Sequence, residues 1–250
     1  MMALRIAVVV FVAAFLLNAC VTVHPQTTIS RGPGWYTVKK TDTLYSIAWR
    51  YGLDYNEIAN WNNIKVTDPI YPGQRLRLIK PQYRTLAESK PRLQPSSKSK
   101  TATETAPETE TSRPEKSVSA ADQLTRKDPN QWRWPTEGKL LSTFDARQLD
   151  RRGIDIAGNE GQPVYAVADG KVVYSGNGLA GYGNLIIIKH SDTFLSAYAY
   201  CQERLVQEGM AVESGKVVAK MGLKDSTAKL YFEIRRNGKP VDPMKYLPKR

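Results

Sequence analysis

The chain has 250 residues, with 36 Lys and Arg against 24 Asp and Glu, enough length for one or two domains with cores of their own. The positive excess is diffuse: residues 1–34 and 35–79 contribute +2 each, and 80–127 and 128–250 contribute +4 each. Without a dense basic stripe, nucleic-acid binding is disfavoured, and two cysteines are too few for a disulfide scaffold.

Arg5 precedes a run from Ile6 to Leu17 that holds no charge. That run is shorter than the ~20 residues needed to span a bilayer core, and with the small residues after it residues 1–19 read as a secretory signal. The run ends in Leu17-Asn18-Ala19-Cys20, which resembles the bacterial lipobox. The resemblance implies cleavage before Cys20 and a lipid on its sulfur, and several acyl chains on one cysteine anchor a protein stably. Val21, rather than aspartate, follows the cysteine, which under the enteric-type sorting rule implies the outer membrane, facing the periplasm. Cys201 is then left without an intramolecular partner and is expected as a buried or half-buried small residue. Residues 20–34 read as a tether.

Residues 35–79 form a compact unit of strand, helix, helix and strand. Tyr36–Lys39 is the first expected strand. Asp42 is placed to cap a helix carrying Leu44, Ile47, Ala48 and Tyr51 at helical spacing, with Gly52 ending it. Asp54 and Glu57 have the spacing of a capping box for a second helix through Ile58 and Trp61, and Pro72-Gly73 turns into a strand over Gln74–Ile79. The stretch "DTLYSIA", the asparagines after it and "PGQ" resemble the LysM domain. That resemblance implies binding of N-acetylglucosamine-containing glycans such as peptidoglycan. It places the groove between two loops, here Thr41, Asp42, Thr43 and Leu44 on one side and Asn62, Asn63 and Ile64 on the other. Thr41 stands where many members carry glycine.

From residue 80 to 127 the chain turns polar. "SSKSKTATETAPETETSRPEKS" has almost nothing to bury and reads as a disordered linker that supplies reach.

Residues 128–250 are rich in Val, Ile and Tyr, broken by Gly, Asn and Asp, and read as a mainly-β domain. "VYAVADGKVVYSG", "GYGNLIIIKH" and "FEIRRNGKPVDP" resemble the lysostaphin-type, or LytM-type, peptidase domain. Active members are zinc endopeptidases that cut peptidoglycan crosslinks. Carried over by motif, the first metal histidine falls on Arg151, the metal aspartate on Asp155, one catalytic histidine on Tyr200, and the final His-x-His on Lys229 and Tyr231. Only Asp155 is retained. Catalytic zinc needs about three protein ligands and a water, and arginine and lysine are not ligands at neutral pH. The chain holds only two histidines: His24 in the tether, and His190 at a strand end where active members carry a non-ligand histidine. No cofactor, metal or catalytic residue is therefore expected. Asp155 is expected to pair with Arg151 or Lys229, and Tyr200 and Tyr231 to fill the remaining space as a partner-binding surface.

A lipoprotein signal, LysM module, linker and degenerate LytM-type domain together resemble the NlpD-type and EnvC-type amidase activators of Gram-negative envelopes. The expected architecture is thus multidomain: a small α+β LysM domain, a disordered linker and a mainly-β LytM-type domain. The resemblance implies a non-enzyme that binds peptidoglycan glycan strands and activates an N-acetylmuramoyl-L-alanine amidase during daughter-cell separation. Two other readings stand beside it: a structural tether between outer membrane and cell wall, and an active endopeptidase.

Overall fold

Thr43, not Asp42, opens the first helix. In the computed structural model, which describes residues 33–81, 128–148 and 152–250, α1 spans Leu44–Tyr51. The Thr43 side chain accepts from Ser46 N, and Ser46 Oγ accepts in return from Thr43 N, a reciprocal capping box. Asp42 does a different job. Its carboxylate accepts from Tyr36 OH at 2.5 Å and Lys39 N at 2.8 Å and pairs with Arg50 at 3.3 Å, so it ties the first strand to α1. Gly52 ends α1 in the left-handed region at φ +64°. The second helix, α2 (Tyr55–Trp61), starts at Asp54, whose side chain accepts from Asn56 N. The flanking strands β1 (Trp35–Thr37) and β2 (Arg75–Arg77) pair antiparallel. Both are shorter than the sequence suggests. Val38 and Gln74 lie beyond the ladder, in the turn where Gly73 N donates to Val38 O and Val38 N donates to Gln74 O.

The larger domain is an antiparallel sheet. Its main path runs β3 (Leu140–Ser142), β4 (Ile154–Ala157), β12 (Thr227–Arg236), β8 (Phe194–Arg204), β7 (Asn184–Lys189), β6 (Gly170–Gly176) and β9 (Ala211–Val212). β10 (Val217–Met221) joins β5 (Pro163–Tyr165) to β8, while β11 (Leu223–Lys224) and β13 (Lys239–Val241) extend β12. The expected mainly-β fold is what forms.

Because successive side chains alternate across a strand, the sheet has two dissimilar faces. One carries Ile154, Ile156, Ile186, Ile188, Tyr198, Leu230, Phe232 and Ile234 into a closed apolar core. His190 belongs to this buried side. Its Nδ1–H donates to Asp169 O at 2.7 Å, so Nε2 accepts from Ser196 Oγ at 2.7 Å, and burial pushes its pKa down to about 4. The histidine is structural, as expected, but wholly enclosed. Cys201 is buried as well, with its thiol pushed up to about 12 by desolvation.

The opposite face carries Leu185, Ile187, Leu195, Ala197, Ala199 and Tyr231, and the LysM module packs on it, so that the two share one continuous apolar cluster. The described residues of the two domains accordingly belong to one compact unit. The sequence reading treats the two domains as separate beads; the structure joins them through α1, which is buried on two sides.

Candidate functional site

β12 sets out the site at strand spacing. Lys229, Tyr231, Glu233 and Arg235 project from the face opposite Leu230, Phe232 and Ile234. Lys229 reaches the groove, Arg235 reaches the LysM module, and Tyr231 and Glu233 lie between them.

At the groove end, Tyr231 lies opposite Asp155 of β4 in the ladder. Lys229 Nζ sits 3.2 Å from Asp155 Oδ2, which also accepts from Ser142 Oγ at 3.0 Å. The pair is partly screened, with side-chain exposures of 21 % and 16 %. Asp155 Oδ1 is buried without a protein hydrogen-bond partner. The Tyr200 ring lies 6.0 Å from that of Tyr231, and the ammonium groups of Lys229 and Lys224 stand 5.6 and 5.8 Å from its centre. Burial, and secondarily the Asp155 charge, raise the Tyr200 pKa, so it remains a neutral phenol. Of the two expected partners for Asp155, Lys229 is in contact; Arg151 lies outside the described residues, as does Cys20.

The lysostaphin-type resemblance implies zinc at this groove, and the described side chains do not fit one. A metal there would share Asp155 with a lysine ammonium, and neither tyrosine is placed as a deprotonated ligand. Among the described residues no group of three His, Cys, Asp or Glu comes together.

Tyr231 turns away from the surface. It is buried, its hydroxyl donates to Glu233 Oε2 at 2.9 Å, and burial together with the Glu233 charge drives its pKa far upward. Glu233 Oε1 in turn accepts from Arg235 Nε at 2.7 Å, and Arg235 Nη1 donates to Trp49 O, in the last turn of α1, at 2.8 Å. The guanidinium lies 3.6 Å from the centre of the Trp49 ring. Glu233 and Arg235 are 0 % and 1 % exposed, and it is the LysM module that closes over them. Sequence reasoning missed this relay. Its signal was present in a helix whose Tyr45 and Trp49 fall outside the Leu44, Ile47, Ala48 and Tyr51 stripe.

The expected glycan-binding residues divide. Asp42 and Thr43 are engaged within the module as described, and Thr43 Oγ1 also donates to Val173 O of β6 at 3.3 Å. Leu44 is buried and Thr41 exposed. Asn62 is saturated: its amide donates to Ile58 O and Arg77 O, and its oxygen accepts from Arg77 N. Asn63 is an exposed turn residue at φ +54° and Ile64 is half-buried. The cleft that holds Asp42, Thr43 and Leu44, about 540 Å³ in volume, has Val66–Ile70 as its second wall and not Asn62–Ile64. Its third wall is Lys171–Val173 and Lys189 of the larger domain.

Residues 36–78 match the LysM domain model and residues 150–243 match peptidase family M23. The murein hydrolase activator NlpD of Escherichia coli K12 is 40 % identical over 257 residues, covering 86 % of this chain and 68 % of that one. The chain belongs to the NlpD family. A lipoprotein NlpD/LppB homolog of Pseudomonas aeruginosa is 39 % identical over 240 residues, covering 87 % of this chain and 78 % of its own. The lipoprotein YgeR of E. coli K12 is 38 % identical over 215 residues, with 85 % and 80 % covered. In this NlpD-family chain the residues matched to peptidase family M23 include the Lys229–Asp155 ion pair. Among the described residues no helix is long and apolar enough to cross a membrane.

Proposed function

We propose that this chain is a non-catalytic envelope lipoprotein that activates a periplasmic N-acetylmuramoyl-L-alanine amidase and so promotes peptidoglycan hydrolysis and daughter-cell separation. The observation that carries the reading is Lys229 seated on Asp155 within a domain matched to peptidase family M23, in a chain similar over most of its length to a named murein hydrolase activator. A groove that holds an ammonium where a peptidase holds its metal keeps a shaped surface without hydrolytic chemistry. The half-buried Tyr200, flanked by the Lys229 and Lys224 ammoniums, offers an amphipathic face to a partner's side chains. Activation requires that this surface bind the open amidase more tightly than the closed one.

The same reading has Cys20 carry the lipid and hold the chain at the periplasmic face of the outer membrane, with residues 80–127 as a spacer. The LysM module grips peptidoglycan glycan strands. The test is dye release from labelled peptidoglycan by the full chain, alone and with each periplasmic amidase of the host. Release is expected only with an amidase and is expected to fall with Tyr200→Ala or Lys229→Glu. Release by the chain alone, or none in any combination, rejects the reading.

A further inference from the structure

The cleft beside Asp42 and Thr43 is not a feature of the LysM module alone. Two walls come from the module, the β1–α1 loop and the segment Val66–Ile70, and the third comes from β6 and β7 of the larger domain. At about 540 Å³ it is within the ~300–1,000 Å³ range of small-ligand sites. Lys171 and Lys189 are opposite each other across the β6–β7 ladder and both line it. Lys189 is paired at 2.7 Å with Asp192, another lining residue, and its ammonium stands 5.8 Å from the centre of the Tyr55 ring. Glu208 lines the same wall.

The charges on this wall alternate in sign, so the cleft offers donors and acceptors together without a net positive field. That pattern suits a neutral, hydroxyl- and amide-bearing ligand better than a polyanion. The floor is apolar where Leu44, Val66 and Ile70 contribute, matching the hydrophobic face of a sugar ring.

We propose that this cleft is a composite saccharide site, in which an N-acetylhexosamine chain is held between the LysM loops and the Lys171–Lys189 wall of the larger domain. The proposal rests on the reading of the LysM module as a glycan binder and adds to it a second wall and a direction of coupling. A ligand that touches both modules binds their docked arrangement more tightly than the separated one, and by linkage it favours docking. Glycan occupancy then clamps the module over Glu233 and Arg235. If the module bound glycan by its own loops alone, docking would leave affinity unchanged or lower it, because Thr43 is already engaged with Val173 O.

Gly238 provides a wedge that separates these cases. It is in the Asn237-Gly238 turn between β12 and β13 at φ +71°, and a Cβ there would come within 2.6 Å of Asp54 N and closer still to Leu53 O. Gly238→Asn suits that backbone conformation and pushes the LysM module away while leaving both cores intact. Docking is read in the full chain by the distance between spin labels on exposed Arg75 and Lys249, and affinity by calorimetric titration with the N-acetylglucosamine tetramer. Arg235→Glu, which sets like charges beside each other under the module, serves as a second opening variant.

Opening is expected to weaken tetramer binding about tenfold or more, in the usual range for coupling between sites. Saturating tetramer is expected to return the labels to the docked distance. Lys171→Met, which leaves the LysM module untouched, is expected to weaken binding severalfold. Equal or tighter binding by the opened variants, with Lys171→Met unchanged, overturns the composite site but leaves the LysM module a glycan binder. No binding by any form, the unaltered chain included, overturns both readings.

Discussion

Arg235→Ala tests whether the module interface is held by the buried relay. The substitution removes the 2.7 Å bond to Glu233, the 2.8 Å bond to Trp49 O and the guanidinium stacked 3.6 Å from the Trp49 ring. Glu233 is left at 0 % exposure with Tyr231 OH as its remaining side-chain donor. Breaking one partner out of a buried ion pair costs ~3–5 kcal/mol. One way to limit that cost is to lift the LysM module and let water reach the carboxylate. The measured penalty is therefore capped by the free energy of docking, and any excess appears as module release before global unfolding. Urea denaturation followed by tryptophan fluorescence, with label distances recorded in parallel, resolves the two events. The double substitution Glu233→Gln with Arg235→Met removes both charges and retains bulk, and is expected to be milder than the single one by at least ~2 kcal/mol, since neutral replacements of buried pairs are often tolerated. If the single variant stays docked and within about 0.5 kcal/mol of the double, near the usual scatter of surface substitutions, the relay does not hold the interface.

His190 has a folded pKa of about 4 against an ordinary 6.5, because burial disfavours the imidazolium. The unfolded chain binds the extra proton between those values, so stability falls as the pH drops from about 6.5 to about 4, by up to ~3 kcal/mol. A melting-temperature series over that range should show a component that His190→Gln removes; parallel profiles would contradict the assignment. Cys201, buried with its thiol pushed up to about 12, should resist a disulfide reagent at pH 8 in a Cys20→Ala chain. Its reaction should begin only with the unfolding transition, and prompt native-state labelling would count against the burial.

What the sequence made legible follows the range of the forces involved. Leu44, Ile47 and Ala48 repeat at helical spacing because α1 must bury one stripe against its own small core, and that is a local pattern. Asp155 and the residue at 229 come together through a motif whose fold was legible from its glycines and strands. The Arg235–Trp49 contact spans 186 positions, and no local period specifies which partner will cover a second helix face. A helix apolar on more than one side does show that a second face is covered, and Tyr45 and Trp49 carried that signal. The cap at Thr43 rather than Asp42 reflects competition between two good capping residues; Asp42 is drawn away by Tyr36, Lys39 and Arg50.

Tyr200 bears on whether the groove is a kept surface or a relic. It has φ +62°, a left-handed backbone that costs a residue with a Cβ ~1–2 kcal/mol and that glycine or asparagine would adopt more easily. The conformation is fixed by bonds on either side: Tyr200 N donates to Tyr182 O at 3.0 Å and Gly222 N donates to Tyr200 O at 2.9 Å. Backbone demands therefore do not favour tyrosine here. Its ring contributes an aromatic face flanked by two lysine ammoniums, beside a carboxylate oxygen with no protein partner. Under the proposed docking role, the ring is the part of this position that a partner would touch, and it is that contact which would set the tyrosine against its backbone cost.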